Sequence, residues 1–90
     1  MDIGVEISLY PLQREFVPAV HAFIARLSKD SRLKIVTNSL STQVFGAYEE
    51  VMEALRRELR ATFDSLAAAD DKAVFVMKVL GPLPRASAAP

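Results

Sequence analysis

Met1-Asp2-Ile3-Gly4-Val5-Glu6-Ile7-Ser8-Leu9-Tyr10-Pro11 opens the chain with an almost unbroken alternation of apolar and non-apolar residues. Ile3, Val5, Ile7 and Leu9 fall on one side; Gly4, Glu6, Ser8 and Tyr10 fall on the other. Successive side chains of a strand point to opposite faces, so the run predicts a β-strand with one apolar face, ended by Pro11. The other face carries a carboxylate, a hydroxyl and a phenol in a row. If this strand is central in its sheet, that face is a candidate binding surface.

Beyond Pro11 a polar stretch, Gln13-Arg14-Glu15, precedes a change of period. Val20, Phe23, Ile24 and Leu27 recur at helical spacing, and Pro18 is tolerated only in a first turn, so a helix should begin between Phe16 and Pro18. Ser28-Lys29-Asp30-Ser31 ends it. Leu33 to Asn38 is β-rich, Ser39-Leu40 reads as a tight connection, and Ser41 to Phe45 as a second short strand closed by Gly46, which together make a hairpin. From Tyr48 to about Leu66 the helical period returns, with Val51, Met52, Leu55, Leu59, Phe63 and Leu66 on one face. Glu49, Glu50 and Glu53 ahead of Arg56, Arg57 and Arg60 suit the helix dipole and i,i+3 or i,i+4 pairing. Asp70-Asp71 breaks the helix. Ala73 to Leu80 is an apolar run of strand length that Gly81-Pro82 should stop.

The order β-α-β-β-α-β is the ferredoxin-like α+β arrangement: a four-stranded antiparallel sheet with two helices on one face. Its first and third strands are central. Residues 1–81 form one domain, and the Pro-, Ala- and Ser-rich 82–90 read as a flexible tail.

Composition narrows the class. A 90-residue chain hides only roughly 60–65% of its unfolded surface, which leaves a monomer marginal. The chain is nevertheless 51% hydrophobic with a mean hydropathy of +0.20, which leans toward a homodimer or homotetramer that buries more. Zero net charge supplies no basic stripe for phosphates, so nucleic acid is not expected as a partner. Without cysteine there are no disulfides or thiolate chemistry, and one histidine excludes a multi-histidine metal site. No signal peptide is visible, and no run approaches the ~20 apolar residues of a membrane span. A cytoplasmic protein without membrane attachment is the expectation.

With the helices over Ile3, Val5, Ile7 and Leu9, the residues Glu6, Ser8 and Tyr10 point to the open side. In the third strand Thr42 and Val44 form one set and Ser41, Gln43 and Phe45 the other; the sequence leaves open which set faces out. The last strand is apolar on both parities apart from Lys78, so its open side needs cover, from a partner subunit or by edge pairing. Glu6 needs a cation there: Lys78 in a cross-strand pair, or a ligand carrying positive charge or N–H donors. Tyr10 would stack on a flat ring or fill an interface. Thr37-Asn38-Ser39-Leu40-Ser41-Thr42-Gln43, the densest polar run, would orient a small polar ligand or satisfy the backbone of a turn. His21 has no nucleophile near it in sequence, and Asp70-Asp71 offer too few oxygens for a divalent cation.

Ile7-Ser8-Leu9-Tyr10-Pro11-Leu12, together with Thr37-Asn38-Ser39-Leu40-Ser41-Thr42-Gln43-Val44-Phe45-Gly46 before the second helix, resembles the YkoF-like thiamine-binding proteins, formerly a domain of unknown function. Thr37, Thr42, Gly46 and Lys78 match the family's pattern, and the likeness runs to about Leu80. The chain departs from it at Gln13, where the family often has Gly, and at Phe45, where it often has Glu. The resemblance implies a ferredoxin-like domain assembling through its sheets. It also implies binding of thiamine or its hydroxymethylpyrimidine part without catalysis or a cofactor. The expected ligand-binding residues are Glu6, Ser8, Tyr10, Thr37, Ser39, Thr42, Phe45 and Lys78, on the open sheet face near a subunit interface. A small enzyme of the dimeric α+β-barrel type would instead use a cavity between helices and sheet, with His21 and Tyr48 as its acid–base candidates. A ligand-free interaction or regulatory module, with Glu6 and Lys78 as a plain pair, is the third reading.

Overall fold

The computed structural model describes residues 1–12 and 17–84. The elements follow in the order β1 (Asp2–Pro11), α1 (Val17–Ser28), β2 (Lys34–Thr37), β3 (Thr42–Ala47), α2 (Tyr48–Ala67) and β4 (Ala73–Leu83). The sheet order is β2-β3-β1-β4, and every neighbouring pair is antiparallel. The fold is therefore the α+β ferredoxin-like one expected, with β1 and β3 central and β2 and β4 at the edges. The Gln13-Arg14-Glu15 stretch, Phe16 and the tail from Arg85 to Pro90 lie outside the described residues.

The alternation in β1 sets the core. Ile3, Val5 and Ile7 are buried against Phe23 and Leu27 of α1, Val51 and Leu55 of α2, and Val44 of β3. Burying an aliphatic or aromatic side chain of this size contributes roughly 1.5–3 kcal/mol, so this cluster dominates the fold's stability. Phe75 ties β4 to both helices: its ring lies 5.3 Å from that of Phe23 and edge-on to Phe63 at 5.5 Å.

The buried stripe of α2 is Val51, Ala54, Leu55, Glu58, Thr62 and Leu66. It is rotated from the expected face, which leaves Met52 and Phe63 exposed. The cause is polar. Glu58 and Thr62 both receive Arg26 of α1, through its Nε and Nη2 respectively, and Glu58 also accepts from Arg57 Nε at 3.1 Å. A buried carboxylate so paired costs little, whereas an unpaired one would be expelled. The helix ends where expected: Asp70 takes a positive φ of 55°, and Asp71 N donates to Leu66 O at 2.9 Å.

Gly81-Pro82 does not stop β4; the strand runs on to Leu83, so residues expected in the tail belong to the sheet. Gly4 pairs with Leu80 but Asp2 with Leu83, which places one extra residue in β4. Such a bulge accommodates a proline that has no N–H to give the ladder. Gly81 is also required by space, since a Cβ there would stand 2.7 Å from Ile3 Cγ2.

Candidate binding site

The eight residues singled out in the sequence separate into two places. Strand register decides which. Val5 pairs with Val44 and Ile7 with Thr42, so Thr42 and Val44 share the helix side, and Thr37, opposite Thr42, joins them. Glu6 pairs with Gln43 and with Lys78, and Gly4 with Phe45 and Leu80, so these side chains share the open side.

On the helix side, α1 and the β2–β3 hairpin frame a pocket of about 160 Å³. Ile7, Leu9, Val20, Phe23 and Ile24 form its apolar wall, and residues Thr37 to Thr42 form the polar one. Ser8 and Tyr10 also border it. By strand parity their side chains belong to the open face, so their backbone forms this margin. Thr37 Oγ1 and Thr42 Oγ1 stand 3.2 Å apart at the end of the hairpin, with Thr42 buried. The hairpin turns without glycine because Asn38 Oδ1 accepts from Leu40 N at 2.8 Å and from Ser41 N at 3.1 Å. Among the described residues lining this pocket, none carries a carboxylate, an imidazole or an ammonium. It presents hydroxyls, one amide and backbone groups over a greasy floor, a chemistry for an uncharged ligand. Neither His21 nor Tyr48, the acid–base pair of the enzyme reading, is among those lining residues.

On the open side, Gly4, Glu6, Gln43, Phe45, Lys78 and Leu80 line a groove of about 280 Å³. The Phe45 ring lies across Gly4, where a Cβ would meet ring carbons at 2.8 and 2.9 Å. Glu6 has two neighbours: its Oε2 accepts from Ser41 Oγ at 3.1 Å, and its Oε1 lies 3.9 Å from Lys78 Nζ. Lys78 is 81% exposed, so the ion pair is a weak one and the hydroxyl is the firmer partner. Ser41 belongs to the pocket hairpin, so Glu6 braces from the open face the loop that frames the other face. Ser41, Asn38 and Phe23 were absent from the sequence-derived set. Fixing Val44 as a core residue would have assigned the whole of β3 by parity and brought Thr42 to the helix side.

A third polar cluster lies at the approach to β2. The Arg32 side chain donates twice to Asp30, at 3.0 and 2.8 Å, and its backbone N–H once at 3.1 Å; the guanidinium lies within 4 Å of Glu50 and Glu53 of α2, while Arg57 reaches Asp30 at 3.5 Å. The Arg32 guanidinium holds the Asp30 carboxyl well below the usual carboxylate range. Every cation named here has a carboxylate partner, and the three carboxylates outnumber the two guanidiniums by one charge. Among the described residues no group of three His, Cys, Asp or Glu is arranged to hold a metal ion, and no helix is long and apolar enough to cross a membrane.

The architecture is that of a small ferredoxin-like protein. The sequence matches no family model and no curated protein. Its fold is shared with solved structures. One is a Thermotoga maritima protein provisionally assigned to thiamine biosynthesis/salvage, at 17% identity and a TM-score of 0.75 over 88% of this chain and 82% of that one. Another is the SP2199 protein of Streptococcus pneumoniae, at 16% identity and 0.80 over 97% and 93%. A third is a DUF77 domain of unknown function from Bacillus cereus, at 14% identity and 0.67 over 91% and 77%. At these identities the likeness establishes the fold. A thiamine-related protein and a DUF77 domain among the neighbours agree with the YkoF-like resemblance in the motifs.

Proposed function

We propose that this protein binds a small uncharged heterocycle, of the hydroxymethylpyrimidine kind, in the pocket between α1 and the β2–β3 hairpin. The observation that carries the reading is the Thr37–Thr42 hydroxyl pair at the edge of an apolar cavity. A cavity of about 160 Å³ falls well short of the ~300 Å³ at which sites for drug-sized ligands begin. It suits one substituted ring. Phe23 and Ile24 would cover the ring's face, and the threonine hydroxyls would exchange hydrogen bonds with its nitrogens or amino group. Lack of charge among the described residues lining the pocket favours the pyrimidine over intact thiamine, whose thiazolium is cationic. The likeness of fold to a protein provisionally assigned to thiamine biosynthesis/salvage supports the same ligand class. Binding of this kind needs no catalytic residue.

Calorimetry with hydroxymethylpyrimidine and with thiamine tests the proposal. Thr42→Val should weaken pyrimidine binding about tenfold, the loss expected of one hydrogen bond. Absence of heat with either compound sinks it. A second reading keeps the ligand on the open face, where the Phe45 ring sits against Gly4 and shares the groove with Glu6 and Gln43. Under that reading Phe45→Ala abolishes binding and Thr42→Val does not.

A further inference from the structure

Asn38 carries the one side-chain amide among the described residues that line the pocket between α1 and the β2–β3 hairpin. An amide holds both kinds of hydrogen-bonding group: an oxygen with two lone pairs, and an NH2 with two protons. Which of them meets a ligand depends on which the protein has already used. Here the loop uses the oxygen. Asn38 Oδ1 accepts from Leu40 N at 2.8 Å and from Ser41 N at 3.1 Å, which fills both lone pairs. Both partners are backbone N–H groups that only donate, so the amide cannot be turned round.

The surroundings hold that orientation. Asn38 N donates to Ser41 O at 3.1 Å, so the backbone of the turn is tied at the same two residues. Ser41 is gripped in addition from the open face, where its Oγ donates to Glu6 Oε2 at 3.1 Å. The two bonds to Oδ1 are the side-chain hydrogen bonds that Asn38 makes among the described residues, so its NH2 is left over. The rest of the polar wall has no such fixed polarity. Thr37 and Thr42 share one bond between their hydroxyls in which either can be the donor, and a hydroxyl rotates to suit its partner.

We infer that Asn38 is the specificity-determining residue of this pocket: it offers a fixed N–H donor and no acceptor. The pocket therefore takes neutral rings with an unprotonated ring nitrogen or a carbonyl oxygen, and rejects rings whose polar groups only donate, amidinium and ammonium among them. This assignment rests on the pocket being the ligand site. A ring nitrogen beside Asn38 accepts from Nδ2, while the threonine pair turns to suit the neighbouring group. A donor-only cation in the same place sets hydrogens against hydrogens, and both sides lose water without replacement. Rejection by a fixed polar group exceeds what pocket shape alone achieves, because the wrong partner leaves that group unpaired. Asn38 is exposed, so water softens the effect to about tenfold.

Asn38→Asp separates this role from a merely structural one. A carboxylate oxygen accepts from Leu40 N and Ser41 N as the amide oxygen does, and aspartate is equally at home in such a turn. The second oxygen puts an acceptor where the donor stood, at almost unchanged size. Calorimetry with two flat probes reads the exchange: hydroxymethylpyrimidine, which has ring-nitrogen acceptors, and benzamidinium, whose polar group only donates. Wild type should prefer the pyrimidine by at least about tenfold. In Asn38→Asp the pyrimidine should weaken about tenfold and benzamidinium should tighten by at least as much, so that the preference reverses. A residue that only shaped the loop would leave the preference alone, because the variant keeps both loop bonds. Equal affinity of wild type for the two probes, or a preference that Asn38→Asp leaves unchanged, overturns the inference while the pocket stands as a ligand site. Absence of heat with both probes in wild type overturns it together with the proposed function.

Discussion

β2 and β4 close the same sheet from opposite sides, one with 4 residues and the other with 11. The β2 flank is short and polar: Lys34 and Thr37 at its ends, an Asn38-centred turn beyond it, and the Asp30–Arg32 cluster leading into it. The β4 flank is long, apolar and barely charged. What separates them is how each tolerates solvent. Polar groups that satisfy one another can stand at an edge alone and frame a pocket. An apolar strand at an edge has no such self-sufficiency, and its valine, methionine and leucine side chains stand in water. Stability on the β2 side should therefore respond to pH, and on the β4 side to how its end packs against β1.

The largest effect expected from breaking this contrast is at the end of β4. Gly81→Ala drives a methyl group into the buried, β-branched Ile3, and should cost about 2 kcal/mol in urea denaturation. No loss would mean that the bulge is looser than the structure makes it. On the other flank, Thr42→Val keeps the shape but removes the buried hydroxyl of the Thr37–Thr42 pair; a loss of about 1 kcal/mol is expected. A smaller effect belongs to Asp30. Its folded pKa is depressed, so its stabilisation is complete above the ordinary carboxylate range and is lost as pH falls through that range toward the folded value. Asp30→Asn should flatten this acid limb of the stability profile. Least of all, Lys78→Ala should change stability by under about 0.5 kcal/mol, because the pair with Glu6 is long and exposed. A larger loss would make Lys78 more than a surface partner.

The fold was legible because β1 alternates without interruption and each period change is marked by Pro, Gly or a polar break. The face of α2 was not, since Glu58 and Thr62 read as solvent residues until Arg26, distant in sequence, is brought beside them. The run through Gly81-Pro82 was hidden for a related reason: a bulge is a property of two strands, and one strand's composition does not reveal it. The candidate site was legible as a set of residues but not as places. Ser8 to Tyr10 and Thr37 to Thr42 converge at one end of the sheet, while Glu6, Phe45 and Lys78 line the opposite face. Parity assigned β1, but the short β3, with Val44 on one parity and Phe45 on the other, offered no contrast by which to assign itself.

The Phe45 ring resting over Gly4 has a consequence for how this chain and its relatives can diverge. Neither position can change freely by itself: a methyl group at position 4 displaces the ring, and a smaller residue at 45 leaves bare backbone beneath it. The two should covary, with glycine at 4 accompanying an aromatic at 45 and larger residues at 4 accompanying a slimmer neighbour. Where a relative carries glutamate in place of Phe45, the constraint on position 4 relaxes, and the groove turns from a flat apolar shelf into an acidic one. A single pair of sites thus sets the character of this face.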